Sequence, residues 1–385
     1  MHIVHLSQPV NDRGDSMRSG IVCSGVSCID LFLYGTEPLA TRESLSMVRE
    51  THYRPGGATS NTGRALARLG LSVEYMTVIG ADANGDILLN LWQADGVDTR
   101  FVVRTAEVGT ALSTVPVYQD GKRGVYFYPG TNAVMSLDNL FGADRAHLRV
   151  LRERQAFHLG YPPLLPLLQG ERLAAMLALV RETGVFISLD TTPIPDDTSL
   201  RAMLTPAFPN IHLFKSNIEE AAQVVGRFTA LQARTQAAGC DIEQVVTREE
   251  VFAIGEALLA MGVPIAVLTL GPNGACICTG DAAALRDTPL LPADLAGWAD
   301  QRRFVPAYQV QGPVNSAGAG DTFTAALLAG LCTGMSSLTE LVQCAHGTAA
   351  LHVDLSRGGC RLPEVLALLP SLQPRVPDNP HLAGV

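Results

Sequence analysis

Residues 314–331 read VNSAGAGDTFTAALLAGL, a loop of small residues that runs without a break into an apolar helix. No other stretch constrains the chain as strongly. Side chains as small as those of Gly318, Ala319 and Gly320 leave the backbone open, so their N–H groups can converge on one point. A helix begins at that point, and its unpaired N–H donors and dipole favour an anion. Asp321 stands at the helix entry, where a carboxylate can cap the helix or act as a base beside the anion. A phosphate cradle touching a base suits phosphoryl transfer to a hydroxyl. An Asp cap on a helix packed through glycine is the plainer alternative, and the motif alone leaves both open.

The rest of the chain narrows the choice. At 385 residues, with 47% hydrophobic and 17% charged side chains, it can bury a large α/β core as one domain or two. A formal net charge of −9 disfavours nucleic acid as a partner but leaves a small anion held by backbone amides possible. The eight cysteines are scattered with no CxxC pair, which argues against a zinc site or disulfide framework. Residues 1–19 are polar without a signal-like apolar core, and no apolar run is long enough to cross a membrane. A cytoplasmic protein with a frayed N-terminal extension is expected.

In chain order, residues 20–34 read as one buried strand and its exit, with Asp30 near the end, where open α/β sheets bind ligands. Residues 37–54 are polar and carry no period. Gly56 and Gly57 then allow close backbone approach to a ligand, and Asn61 lies in the first turn of the helix that follows, suited to a sugar hydroxyl or to an ordinary helix start. A short strand is expected over 73–79. Between Thr110 and Pro129 two β-rich runs flank Asp120-Gly121, a hairpin signal. With the 34–53 segment it reads as a small β lid that excludes water from phosphoryl transfer. Buried strands at 156–160 and 185–189 follow, each ahead of a polar or Pro-rich loop. Asn217 and Glu220 share one face at a helix start, where they can form a cap or hold a hydrated Mg²⁺. Residues 265–278 read as strand, turn, strand, and 279–314 as a long segment that includes a loop insertion. The 338–353 helix carries His346, and the tail after Pro370 is expected to fray.

Taken together, these motifs resemble the ribokinase-like, or PfkB, family of carbohydrate and nucleoside kinases. Gly56-Gly57 with Asn61 and Gly318-Ala-Gly-Asp321 carry the match. Asp30, Gly80, Asp82, Gly85, Gly96-Val-Asp98, Pro129-Gly-Thr-Asn132, Asn217 with Glu220, and Thr269, Gly271 and Gly274 fall in family order between about Gly20 and Pro363. No P-loop sequence is present. The resemblance implies an α/β three-layer fold: a mostly parallel twisted sheet flanked by helices, plus the lid. The kinase domain then covers 20–370, with lid segments at about 34–55 and 100–130 and a tail at 371–385. It implies Asp321 as the base, with Gly318, Ala319 and Gly320 as the anion hole. Asp30, Gly56, Gly57 and Asn61 match substrate positions, and Asn217 and Glu220 match a Mg²⁺/phosphate motif, the metal held by Glu220 through water. Thr269, Gly271 and Gly274 match the nucleotide loop, and His346 a position beside the adenine.

ATP and Mg²⁺ are therefore the expected cofactors. Asn315-Ser-Ala317 replaces a stretch that is often acidic in the family, which weakens the case for monovalent-cation activation. The expected activity is phosphorylation of a hydroxyl on a small neutral sugar or sugar-like substrate. The alternatives are a nucleoside kinase with Tyr126 and Phe127 against the base, a kinase of phosphorylated sugars using Lys122 and Arg123, and a non-catalytic sensing relative. Homodimerisation through the lid is a family expectation.

Overall fold

The computed structural model describes residues 18–37, 43–120, 122–194, 197–356 and 360–382. Most of the expected N-terminal extension, part of the first lid segment, Gly121 of the hairpin and the last three residues lie outside them.

Strand β1 (Ile21–Gly25) begins the central sheet, where burial on both faces explains its apolar run. Val22 faces one core with Phe157 and Ile187, while Ile21 and Cys23 face the other with Ala156 and Phe186. Strand β2 (Cys28–Thr36) follows after two residues, but it belongs to the lid. The single strand expected over 20–34 is thus two strands in two sheets. The break has a physical cause: the Asn132 side chain brackets Ser27, accepting from its N–H and donating to its C=O, both at 3.1 Å. Ser27 is buried and therefore unavailable to either sheet.

The remaining strands are β3 (Glu50–Gly56), β4 (Val73–Tyr75), β5 (Val78–Gly80), β6 (Val103–Thr105), β7 (Leu112–Tyr118), β8 (Tyr126–Tyr128), β9 (Ala156–Gly160), β10 (Phe186–Asp190), β11 (Leu213–Asn217), β12 (Ile265–Thr269), β13 (Ala275–Thr279) and β14 (Arg302–Val305). Their orders are β14-β13-β12-β11-β10-β9-β1-β4 in the main sheet, β3-β2-β7-β8 in the lid, and a small β5-β6 pair. The six strands from β12 to β4 are parallel, whereas β13 pairs antiparallel with both β12 and β14 at one edge. The strand expected over 73–79 divides between the main sheet and the β5-β6 pair. Strand β3 lies in the stretch that showed no period, because its first five residues are exposed and no core imposes alternation. Strand β14 lies inside the 279–314 segment expected to include a loop insertion, and Trp298 pins the preceding loop by donating to the Ser336 carbonyl at 2.6 Å.

Helices cover both faces. Gly57–Leu69, Ala319–Cys332 and Leu338–Val353 share one core; Gly170–Arg181 and Arg248–Ala260 share the other. Eleven residues of Ala319–Cys332 are buried, as its nearly uniform apolarity requires. The tail departs from expectation. Pro374 bridges to Tyr308, Leu382 is fully buried, and the Asn379 amide donates to the carbonyls of Glu243 and Val246. Satisfied amide donors and a buried leucine hold it against the domain.

Candidate active site

The site forms where the C-terminal ends of β9, β10 and β11 meet the N-terminus of helix Ala319–Cys332. Gly318 precedes that helix with φ 76°, a left-handed conformation open to glycine at little cost. The Ala319 N–H donates to the Ser316 carbonyl at 3.1 Å, so one of the three expected anion-hole amides is engaged within its own turn.

Asp321 is 3% exposed in the first turn. One carboxylate oxygen accepts from the Asn61 amide at 3.0 Å, the other from the Tyr161 hydroxyl at 2.8 Å. Burial, then the neighbouring Asp190 carboxylate, raise its pKa to about 6, against the opposing pull of Lys215 and the two donors. Residues 260 and 160 positions away in the chain thus converge on one carboxylate.

Behind it lies a buried ion pair. Lys215 Nζ stands 3.2 and 3.1 Å from the two oxygens of Asp190, which also accepts from Thr324 Oγ1 at 3.0 Å and from the Thr191 N–H at 2.8 Å. Burial opposes the Lys215 charge, but Asp190, Glu220 and Asp321 together hold the ammonium protonated beyond its ordinary range. Asp190 and Lys215 were not among the expected site residues. The available signal was a lysine inside a buried strand, a residue rarely buried without a partner.

Asn217 and Glu220 form a capping box on helix Ile218–Val225. The Asn217 side chain accepts from the Glu220 N–H at 2.8 Å, and Glu220 accepts from the Asn217 N–H and amide at 2.9 and 3.0 Å. The capping arrangement is therefore present. Glu220 is 4% exposed, and burial pushes its pKa up to about 8, with Lys215 opposing. With both oxygens engaged, this carboxylate fits Mg²⁺ through water rather than by direct ligation, as an ion that keeps several waters permits. Among the described residues, no group of three or more His, Cys, Asp or Glu could hold a metal ion.

A cavity of about 950 Å³ opens in front of Asn61 and Gly318 under the lid. Asp30 lines it from β2, paired in register with Arg54 on β3 and Ser113 on β7. The thiol of Cys28 donates to Asp30 at 3.3 Å, and burial holds the Asp30 pKa above its ordinary value. A Cβ on Gly56 would lie 2.3 Å from the Asp30 carboxylate, so any side chain there would displace it. Asn61 lies in the second turn of helix Gly57–Leu69. Phe32, Phe127 and Arg123 complete the lid wall; Tyr126 does not line it.

Thr269 is Asn217's partner across β11 and β12, with Gly271 and Gly274 in the turn that follows. They sit at the same sheet edge but outside the cavity lining. His346 is 6% exposed, with its ring edge against Phe323 at 4.9 Å, and burial lowers its pKa to about 4. It is a neutral, packed imidazole rather than part of the cavity wall.

Comparison with known proteins shows which family the chain resembles. The sequence pattern described as pfkB family carbohydrate kinase matches residues 18–364. The chain is 20% identical to a ribokinase of Staphylococcus aureus (strain COL), over 88% of this chain and 94% of that one. It is 27% identical to fructokinase-1 of Oryza sativa subsp. japonica, over 74% and 76%. Among solved structures, the Arabidopsis thaliana ribokinase complexed with ribose and ATP superposes with TM-score 0.67 at 21% identity, covering 92% of this chain and 99% of that one.

Proposed function

The chain belongs to the pfkB family of carbohydrate kinases and is an ATP-dependent carbohydrate kinase, and from that premise we propose that Asp321 is the base that activates a hydroxyl of a small neutral sugar. The observation that carries this is a buried carboxylate, gripped by Asn61 and Tyr161, at the mouth of a helix N-terminus and beside a lid-covered cavity. Asp321 takes the proton as the substrate oxygen attacks the terminal phosphorus and the bond to the leaving diphosphate breaks. The Gly318 and Gly320 amides and the helix N-terminus face the charge on the transferred group, the Ala319 amide being held by the Ser316 carbonyl. Glu220 would hold Mg²⁺ through water, and that ion, when bound, neutralises phosphate charge.

Asp30 accepts hydrogen bonds from substrate hydroxyls, and its carboxylate favours a neutral acceptor over an acidic one. Gly57 and Asn61 line the same wall. Thr269, Gly271 and Gly274 bind the nucleotide side, and His346 packs against Phe323 on the helix that begins at the anion turn. A nucleoside acceptor is the second reading, favoured by Phe32 and Phe127 on the lid wall.

ATP consumption with Mg²⁺ against pentoses, hexoses, sugar acids and nucleosides tests the proposal. Turnover on a neutral sugar, reduced about 10²- to 10⁴-fold in Asp321→Asn with ATP binding retained, is the expected result. Undiminished turnover in that variant removes Asp321 as the base.

A further inference from the structure

Of the non-glycine residues with positive φ among the described residues, namely Arg145, Tyr161, Leu290 and Asp300, only Tyr161 lines the cavity. Its φ of 61° and ψ of 45° place a bulky aromatic in the left-handed region, a strained conformation for a side chain of this size. Glycine would sit there without strain. Two contacts hold the residue in place: its N–H donates to the Asp190 carbonyl at 3.0 Å and its hydroxyl to Asp321 at 2.8 Å. Pro162 follows directly, so the chain turns away from β9 at the residue that reaches the carboxylate.

We propose that Tyr161 is a positioning residue for the phosphoryl-transfer base: its hydroxyl fixes the orientation of the Asp321 carboxylate and sets the pH range in which that carboxylate is ionised. This rests on the assignment of Asp321 as the base. Asn61 and Tyr161 each donate to a different oxygen, which stops rotation of the carboxylate and leaves its remaining lone pairs for the acceptor hydroxyl. Both donors bind the anion better than the acid, opposing the effect of burial. Burial and the nearby carboxylates keep the phenol itself protonated, so it remains a donor. The backbone link to Asp190 couples it to the ion pair behind the site, and Thr324 joins the same Asp190 to the helix that carries Asp321.

Tyr161→Phe tests this, because it keeps the ring and deletes only the donor. Loss of a donor to the ionised form raises the pKa of Asp321, so the acidic limb of kcat/KM moves to higher pH. A shift of at least half a pH unit and a tenfold or greater fall in kcat at pH 7, with ATP KM unchanged, are expected. A limb that stays in place with kcat within twofold of wild type overturns the proposal. Thermal unfolding of the variant accompanies the kinetics, so that a fall in kcat with an unmoved limb is read as structural damage and also counts against it. Asp321→Asn runs in parallel. If it retains activity, the base assignment has failed, and this is distinguishable from a Tyr161→Phe variant that merely behaves as wild type.

Discussion

Asp321 is pulled two ways. Burial and Asp190 drive it toward the neutral acid, while the proposed role as base needs the anion. With a pKa raised to about 6, kcat/KM falls about tenfold per pH unit below that value, as a pH profile on the best substrate will show. The same shift bears on folding. A proton bound more tightly in the folded state than at the ordinary value of 3.8 makes this group's contribution to stability full below about pH 4 and lost as pH rises through about 6. Asp321→Asn therefore raises Tm at pH 8 by an amount that shrinks toward pH 4. The gain is bounded near 3 kcal/mol, since each unit is worth about 1.4 kcal/mol. Equal Tm values for variant and wild type at pH 8 would contradict it. Asp321 and Asn61 were legible as candidates because glycine-rich turns mark them. Tyr161 was not: its role depends on a left-handed backbone and on a helix start far along the chain, neither of which leaves a local pattern.

At the scale of elements, the ion pair at the ends of β10 and β11 is the most consequential contact that spacing could not reveal. Asp190 reads as the start of a polar loop and Lys215 as one residue of a strand, and only the sheet order joins them. Removing one partner leaves the other charge buried and unpaired. Lys215→Met is expected to lose about 3–5 kcal/mol in urea unfolding, and the double change with Asp190→Asn to recover most of it. A double variant no more stable than the single one would mean that the pair is not the source of the loss. The central strands and the major helices were legible because burial on both faces, or a long apolar face, leaves a strong pattern. The β1/β2 division was not, since a strand leaving one sheet for another two residues later keeps the same apolar character.

The whole molecule closes on itself through the tail. The Asn379 side-chain amide donates to two carbonyls of the 243–246 segment, and its backbone N–H donates to the Asn273 side-chain oxygen at 3.2 Å. Tail and the Gly271–Asn273 turn are thus one packed unit. Truncation after Leu372 is expected to lower Tm by several degrees and to weaken ATP binding more than sugar binding, measurable by calorimetry. An unchanged Tm would show that the tail packing contributes little. The polar, proline-containing sequence of the tail hid this, because its anchors are one asparagine and one leucine.

The two residues joining β1 to β2 set a lever. Ser27, held on both sides by Asn132, is the fulcrum, and a strand advances about 3.3 Å per residue. Asp30 lies three residues out, roughly 10 Å from the fulcrum, and Thr36 nine residues out, roughly 30 Å along an extended strand. A tilt of about ten degrees there carries Asp30 only about 2 Å but sweeps the far end of the strand about 5 Å. A lid pivoting at Ser27 would therefore keep Asp30, the proposed substrate contact, where displacement is least, and would carry the far end of the strand furthest.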